Sequence, residues 1–192
     1  MLYRIKGVRK IVILVENLIF NFIYKRKLNN KVKIYGFPII TFQNSNFSFG
    51  KNITLISESY FSEPGVNHPV MIRLLKPEAS LKIGNNVGIS GGGICVETNV
   101  EIGNDVMMGA NSFISDTDFH PIEPKNRRFS RENVKAKPVI IEDNVFIGMN
   151  SVILKGVTIG KNSIIAANST VVKDIPSNEI WGGAPAKFLR KI

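Results

Sequence analysis

The sequence predicts an all-β fold, a parallel β-helix, on three observations: a six-residue period, β-branched residues at fixed places within it, and turn-forming residues between them. From Ile141 the chain divides without a gap into IEDNVF, IGMNSV, ILKGVT, IGKNSI, IAANST and VVKDIP. Every block opens on Ile or Val. If roughly a quarter of residues were Ile, Leu or Val, six such hits in one frame would arise by chance about once in a few thousand trials. The fifth positions are Val145, Ser151, Val157, Ser163, Ser169 and Ile175, all small or β-branched. In an extended segment, positions one and five share a face, while Gly, Asn, Asp and Lys collect where the chain bends. One short strand cannot bury its own apolar side, but stacked rungs make a continuous aliphatic column, with three blocks to a triangular turn.

The same grammar runs upstream through IGNNVG from Ile83, VETNVE from Val96, IGNDVM from Ile102 and MGANSF from Met108. A seven-residue step from Ile89 to Val96 passes through ISGGGIC, where Gly91, Gly92 and Gly93 suit a bulged corner, with close approach of a ligand as the alternative. Cys95 cannot form an internal disulfide and is expected to pack in the core. FGKNIT from Phe49 and LISESY from Leu55 read as an imperfect first turn. The chain thus divides into a helical segment (1–30), irregular first coils (31–80), a β-helix (81–175) interrupted by a loop at 116–138, and a C-terminal cap (176–192).

Residues 11–24, IVILVENLIFNFIY, form the most apolar run, flanked by Arg4, Lys6, Arg9 and Lys10 before it and by Lys25, Arg26 and Lys27 after it. A membrane-spanning helix needs about 20 apolar residues, and this run is shorter and contains Glu16, Asn17 and Asn21. No small-residue cleavage site follows, which argues against a secretory signal. Lys10, Asn17 and Asn21 share one narrow helical face, leaving a broad apolar surface with basic ends. Packing on the domain or on another subunit is the expectation, with peripheral contact to an anionic membrane as the alternative.

At 192 residues the chain suits one domain, and its 44% hydrophobic and 21% charged content excludes wholesale disorder and a polytopic membrane protein. The formal charge of +10 favours an anionic partner without choosing among nucleic acid, phospholipid, nucleotide and acidic glycan. Nucleic acid ranks last, because no helix-turn-helix, zinc finger or aromatic RNA-binding motif accompanies the charge.

The repeat, together with the ending VVKDIPSNEIWGGAPAKFLRKI and its Gly-x-Pro-Ala-Lys stretch, resembles the hexapeptide-repeat acyltransferases over residues 81–192. The branch is that of galactoside, maltose and nodulation-factor acetyltransferases and bacterial polysaccharide O-acetyltransferases. The resemblance implies a left-handed coil, whereas general chain rules favour right-handed crossovers. It also implies a homotrimer and acetyl-CoA as acyl donor. No metal is expected: γ-type carbonic anhydrases share the architecture but hold zinc through three histidines, and this chain has two.

The rhythm stops after ISDTDF, beginning at Ile114, and resumes at Ile141. Long excursions from a regular scaffold are often functional. A thioester is already activated, so the protein must mainly position the acceptor and take its proton, a task suited to imidazole. SDTDFHP resembles the family's catalytic-histidine region, implying that His120 is the general base beside the CoA path. Asp118 and Asp116 share a side of an extended strand with His120; Asp118 is the expected orienting group, with Asp116 also a candidate beside the substrate. His68 is expected to be structural.

The resemblance places CoA between adjacent subunits, with Gly148 or Met149 offering a backbone N–H to the thioester oxygen and Ala167 along the pantetheine. Lys173, Lys187 and Arg190 match basic positions for the CoA phosphates. Trp181 either stacks on adenine or seals the core. Ser90 is the nearest equivalent of the family's acceptor-side asparagine, and this departure leaves the acceptor open. Lys125, Arg127, Arg128, Arg131, Lys135 and Lys137 suit an acidic or pyrophosphate-linked saccharide, with a solvated loop face as the alternative. The expected activity is acetyl transfer to a sugar hydroxyl of a surface polysaccharide or its precursor, in the cytoplasm or at the inner face of its membrane. A small-molecule acceptor and a catalytically silent scaffold are the alternatives.

Overall fold

Short strands stacked in three faces make a prism, preceded by one helix. A computed structural model describes residues 2–24, 28, 32–42 and 46–192, with side chains from Val8 onward. Lys25, Arg26 and Lys27, the expected basic end of the helix, lie outside the described residues. Helix α1 (Leu2–Ile23) leads into a first turn of β1 (Val32–Tyr35), β2 (Ile39–Thr41) and β3 (Asn46–Phe49). The second turn is β4 (Ile53–Ile56), β5 (Met71–Leu74) and β6 (Ser80–Ile83), and the third is β7 (Gly88–Ser90), β8 (Gly93–Val96) and β9 (Asn99–Ile102). The fourth is β10 (Met107–Met108), β11 (Phe113–Ser115) and β12 (Val139–Ile141); the fifth is β13 (Phe146–Ile147), β14 (Val152–Ile153) and β15 (Thr158–Ile159). A last turn of β16 (Ile164–Ile165) and β17 (Thr170–Val171) passes to β18 (Glu179–Gly182) and the antiparallel β19 (Lys187–Lys191).

The first strand of each turn pairs with the first of the next, giving faces of eight, six and five strands in a left-handed parallel β-helix. On the first face, register aligns Ile34, Leu55, Ile89, Met108, Ile147 and Ile165 in one buried column ending on Trp181. Ile147 and Ile165 are three blocks apart, so three hexapeptides make one turn. Each fully buried aliphatic side chain contributes about 1.5–3 kcal/mol. Fifth-position residues Val145, Ser151, Val157, Ser163 and Ser169 are also buried at the corners. Burial there requires the serine hydroxyls to find acceptors: Ser151 and Ser169 donate to the Ala166 carbonyl, and Ser163 to that of Pro176. Asn144, Asn162 and Asn178 take φ near +60° at successive bends, and their side-chain amides bond to one another down the corner.

The stretch at 31–80, expected to be irregular, pairs in the same register as the later rungs. Its period is hidden by an insertion between β4 and β5, which holds a short 3₁₀ turn at Ser59–Phe61. That insertion packs on the triglycine corner. Gly91 has φ +50°, and a Cβ there would lie 2.5 Å from Val66 Cβ; one on Gly93 would lie 2.5 Å from the Phe113 ring. The glycines therefore serve a bulged corner under tight packing. Cys95 corrects the expectation of a core thiol: Ile94 and Val96 point inward, so Cys95 faces outward, half-buried beside Arg73 and Ser115. Burial still pushes its thiol pKa up.

The two ends are closed differently. Trp181 seals the C-terminal end, its Nε1–H donating to Glu179 Oε2, and Lys173 lies over its ring. This decides between the two readings of Trp181 in favour of core closure. At the other end Phe20 is fully buried, while Asn17 and Asn21 each accept from and donate to backbone groups of β1. The open strand edge is thereby satisfied without another strand.

Candidate functional site

The excursion leaves the fourth turn between the second and third faces and closes on itself at its base. Thr117 bridges Ala136 in antiparallel fashion, Asp118 N–H donates to the Lys135 carbonyl, and Lys137 N–H to that of Asp116. Phe119 then takes φ +61°, and His120 N–H donates back to the Asp118 carbonyl at 2.7 Å. This three-residue turn holds a bulky residue in the left-handed region, an arrangement maintained only where surrounding structure enforces it. Here the Arg131 guanidinium donates to the Phe119 carbonyl.

His120 emerges exposed at the mouth of a cavity of about 640 Å³, lined also by Pro124, Asn126, Arg127, Arg128 and Phe129. Its Nδ1 lies 3.3 Å from the Arg127 carbonyl. A carbonyl only accepts, so in this contact Nδ1 is the donor. Arg127 bends back, donating to the Pro121 and Ile122 carbonyls. Of the expected cationic loop face, Arg127 and Arg131 are therefore used within the loop itself.

Among the described residues neither aspartate carboxylate is hydrogen-bonded to the His120 ring. The turn at Phe119 breaks the extended parity on which that expectation rested. Asp118 Oδ1 instead forms an ion pair with Lys155 at 2.5 Å, and its buried Oδ2 has no partner among the described residues. Asp116, expected beside the substrate, is fully buried. Its carboxylate accepts from the backbone N–H groups of Glu97, Thr98 and Asn99 and from the Thr98 hydroxyl. It anchors a bend of the third turn and has no face toward a ligand. Beside it, Glu97 accepts from Thr117 and pairs with Lys76 at 2.7 Å. Burial would raise the Glu97 pKa, but the bonds from Lys76 and Thr117 and the Lys76 charge outweigh it, and the net direction is down. Lys155 and Glu97 were not anticipated; each sits at an ordinary outward position, and only the stacking of turns brings them to the excursion's base.

The residues expected along CoA lie on another edge. Met149 and Ala167 are stacked one turn apart at the corner between the first and second faces, and Ser90 opens the same corner two turns earlier. Gly148 N–H donates to the Ile165 carbonyl at 2.8 Å, so Gly148 cannot be the oxyanion donor. The N–H groups of Met149 and Ala167 have no acceptor among the described residues. They form a short column of available donors. Lys187 and Arg190 are exposed on β19, whereas Lys173 is committed to the Trp181 ring. His68 bonds its neighbour's carbonyl at Pro69, in the insertion that packs on the Gly91 corner beside Ser90. Within one chain, then, His120 and the free amides occupy different corners of the prism. No cluster of three His, Cys, Asp or Glu capable of holding a metal occurs among the described residues.

A prism of stacked hexapeptides carrying a histidine-bearing excursion defines the class. A family model described as the hexapeptide repeat of succinyl-transferase matches residues 138–173. The chain is 46% identical over 96 residues to a galactoside O-acetyltransferase of Lactococcus lactis, covering 50% of this chain and 45% of that protein. The chain thus spans about half the length of the curated relatives it matches. A hexapeptide-repeat acetyltransferase from Vibrio cholerae, solved with acetyl coenzyme A, aligns with TM-score 0.54 and 27% identity over 85% of this chain and 70% of that one. The N-acyltransferase AntD of Bacillus cereus, solved with dTDP and 3-hydroxybutyryl-CoA, shares the fold at TM-score 0.65 and 18% identity, covering 85% of this chain and 82% of that one. Repeat, fold and relatives together make the chain similar to the hexapeptide-repeat acetyltransferases.

Proposed function

We propose that this chain is a CoA-dependent O-acetyltransferase that moves an acetyl group from acetyl-CoA to a sugar hydroxyl of a surface polysaccharide or its precursor. The observation that carries the reading is His120, exposed on the excursion and held through Nδ1 by the Arg127 carbonyl beside the cavity it lines. Nε2 takes the proton of the acceptor hydroxyl as its oxygen bonds to the acetyl carbonyl carbon. When the carbon–sulfur bond breaks, the imidazolium returns that proton to the departing thiolate. The free N–H of Met149 supplies a donor for the developing oxyanion, that of Ala167 a contact for the pantetheine, and Lys187 and Arg190 meet the phosphates. Asn126 and Arg128 beside His120 suit a saccharide bearing acidic or phosphate groups.

Because His120 and the free amides lie on different edges of one prism, the reading requires a homotrimer in which one chain's excursion meets its neighbour's amide corner. The resident compartment is the cytoplasm, at the inner face of its membrane. The test is thiol release across an acceptor panel of free sugars, nucleotide sugars, serine and lipid-linked saccharide, using wild type and His120→Asn. Loss of the general base is expected to lower turnover by about 10²- to 10⁴-fold with CoA binding retained. Turnover unchanged in the variant refutes the assignment, and preference for serine over every saccharide replaces the acceptor class.

A further inference from the structure

Helix α1 is mounted with its polar side inward. Asn17 and Asn21 commit their amides to β1, and the Arg9 guanidinium lies 3.8 Å above the Tyr60 ring. The opposite half of the helix carries no polar side chain from Val8 to Ile23. With 3.6 residues per turn, Val8, Ile11, Leu14, Val15, Leu18 and Phe22 fall within one half of the circumference, bordered by Lys10 and Glu16. Leu14, Leu18 and Phe22 are 61%, 64% and 80% exposed. A helix resting on a water-soluble domain normally shows the reverse arrangement. Phe37, whose ring packs on that of the buried Phe20, and Ile39 at the start of β2 are exposed as well. Patches of this extent mark interaction sites.

We infer that this face docks on an anionic phospholipid bilayer, with α1 lying in the interfacial plane and its apolar half among the acyl chains. Charge chooses the occupant. Lys10 and Lys33 border the helix, the sequence places Arg4 and Lys6 before the apolar run and Lys25, Arg26 and Lys27 after it, and the whole chain carries +10. Such an excess of cations in this segment would repel a second copy but attracts acidic headgroups. The mode is peripheral, since no described helix is long and apolar enough to cross a membrane. The inside-facing asparagines explain how the helix holds this pose: their bonds to β1 tie its polar side to the prism and leave the apolar side outward. The excursion leaves three turns further along, about 15 Å away at the usual strand spacing, within reach of a headgroup-linked acceptor. The docking itself does not depend on the proposed activity.

The test is co-sedimentation of the full chain with phosphatidylcholine vesicles containing about one third phosphatidylglycerol, against pure phosphatidylcholine. Wild type is expected to pellet with the anionic vesicles, and less so at high salt. Phe22→Asp is expected to lower the bound fraction about tenfold or more, because a fully inserted aromatic is lost, with an unchanged melting curve and sedimentation coefficient. Phe22→Trp gives an independent readout, a blue-shifted emission on the same vesicles. Wild type remaining in the supernatant, or an unshifted Trp emission, overturns the inference. A Phe22→Asp protein whose assembly state falls while vesicle binding persists also overturns it, in favour of a second copy on this face.

Discussion

Replacing Lys155 with Met separates two accounts of Asp118, as an orienting group for His120 or as half of an ion pair at the base of the excursion. Lys155 Nζ lies 2.5 Å from Asp118 Oδ1, with side chains 24% and 26% exposed. Removing the cation leaves a mostly buried carboxylate whose other oxygen already lacks a partner among the described residues. Exposed pairs are worth about 0–1 kcal/mol, and breaking a fully buried one costs about 3–5 kcal/mol. The intermediate exposure places Lys155→Met near a loss of 2 kcal/mol, roughly 30-fold in the folding equilibrium. Asp118→Asn should cost less, since the amide is uncharged. The double variant should cost less than the sum by about 1–2 kcal/mol, the signature of a direct interaction. Urea unfolding of all four proteins at one protein concentration provides the cycle, and turnover is measured in parallel. Costs that add within about 0.5 kcal/mol refute the pairing. Unchanged stability in Asp118→Asn together with a ten-thousand-fold loss of turnover would restore Asp118 to the orienting role.

Two further outcomes test the scaffold and its titration. Ile147→Ala empties one layer of the first column, between Met108 and Ile165, and is expected to cost about 2–5 kcal/mol; the substitution of outward-facing Phe146 by Ala in the same strand should cost much less in the same denaturant titration. Glu97 has a lowered pKa in the folded chain, so the unfolded chain binds its proton more readily. Its contribution is present above the ordinary glutamate pKa and is lost as pH falls through the lower folded value. Wild type should therefore lose stability more steeply than Glu97→Gln on acidification below about pH 5. Parallel slopes for the two proteins would dismiss the Lys76–Glu97–Thr117 cluster as a pH-dependent support.

The six-residue period was legible because burial repeats: each block presents the same two inward positions, so the residues from Ile141 to Val171 carry one message many times. Insertions hid that message in the first two turns, although Ile34 and Leu55 occupy the same column as Ile147. His120 stood out because it interrupts the rhythm within a segment similar to a known catalytic region. Asp116 and Asp118 could not be separated by spacing, because the parity of an extended strand ends at the left-handed Phe119. Likewise, Gly148 and Met149 are neighbours in sequence, yet only one amide is consumed by the ladder.

The helix shows the division most plainly. Its apolar half and its narrow polar face of Lys10, Asn17 and Asn21 are periodicities of the chain, and the sequence alone determined them, as it determined the column of β-branched residues and the break that carries His120. Which side of the helix meets the prism was decided by tertiary structure. The edge of β1 exposes backbone donors and acceptors that must be satisfied, and two asparagines satisfy them better than any aliphatic side chain. The same kind of requirement committed Asp116 to three backbone amides and Asp118 to Lys155. A residue's type and period are local properties of the chain, whereas the partner that claims its polar atoms is supplied by whichever rung is stacked against it.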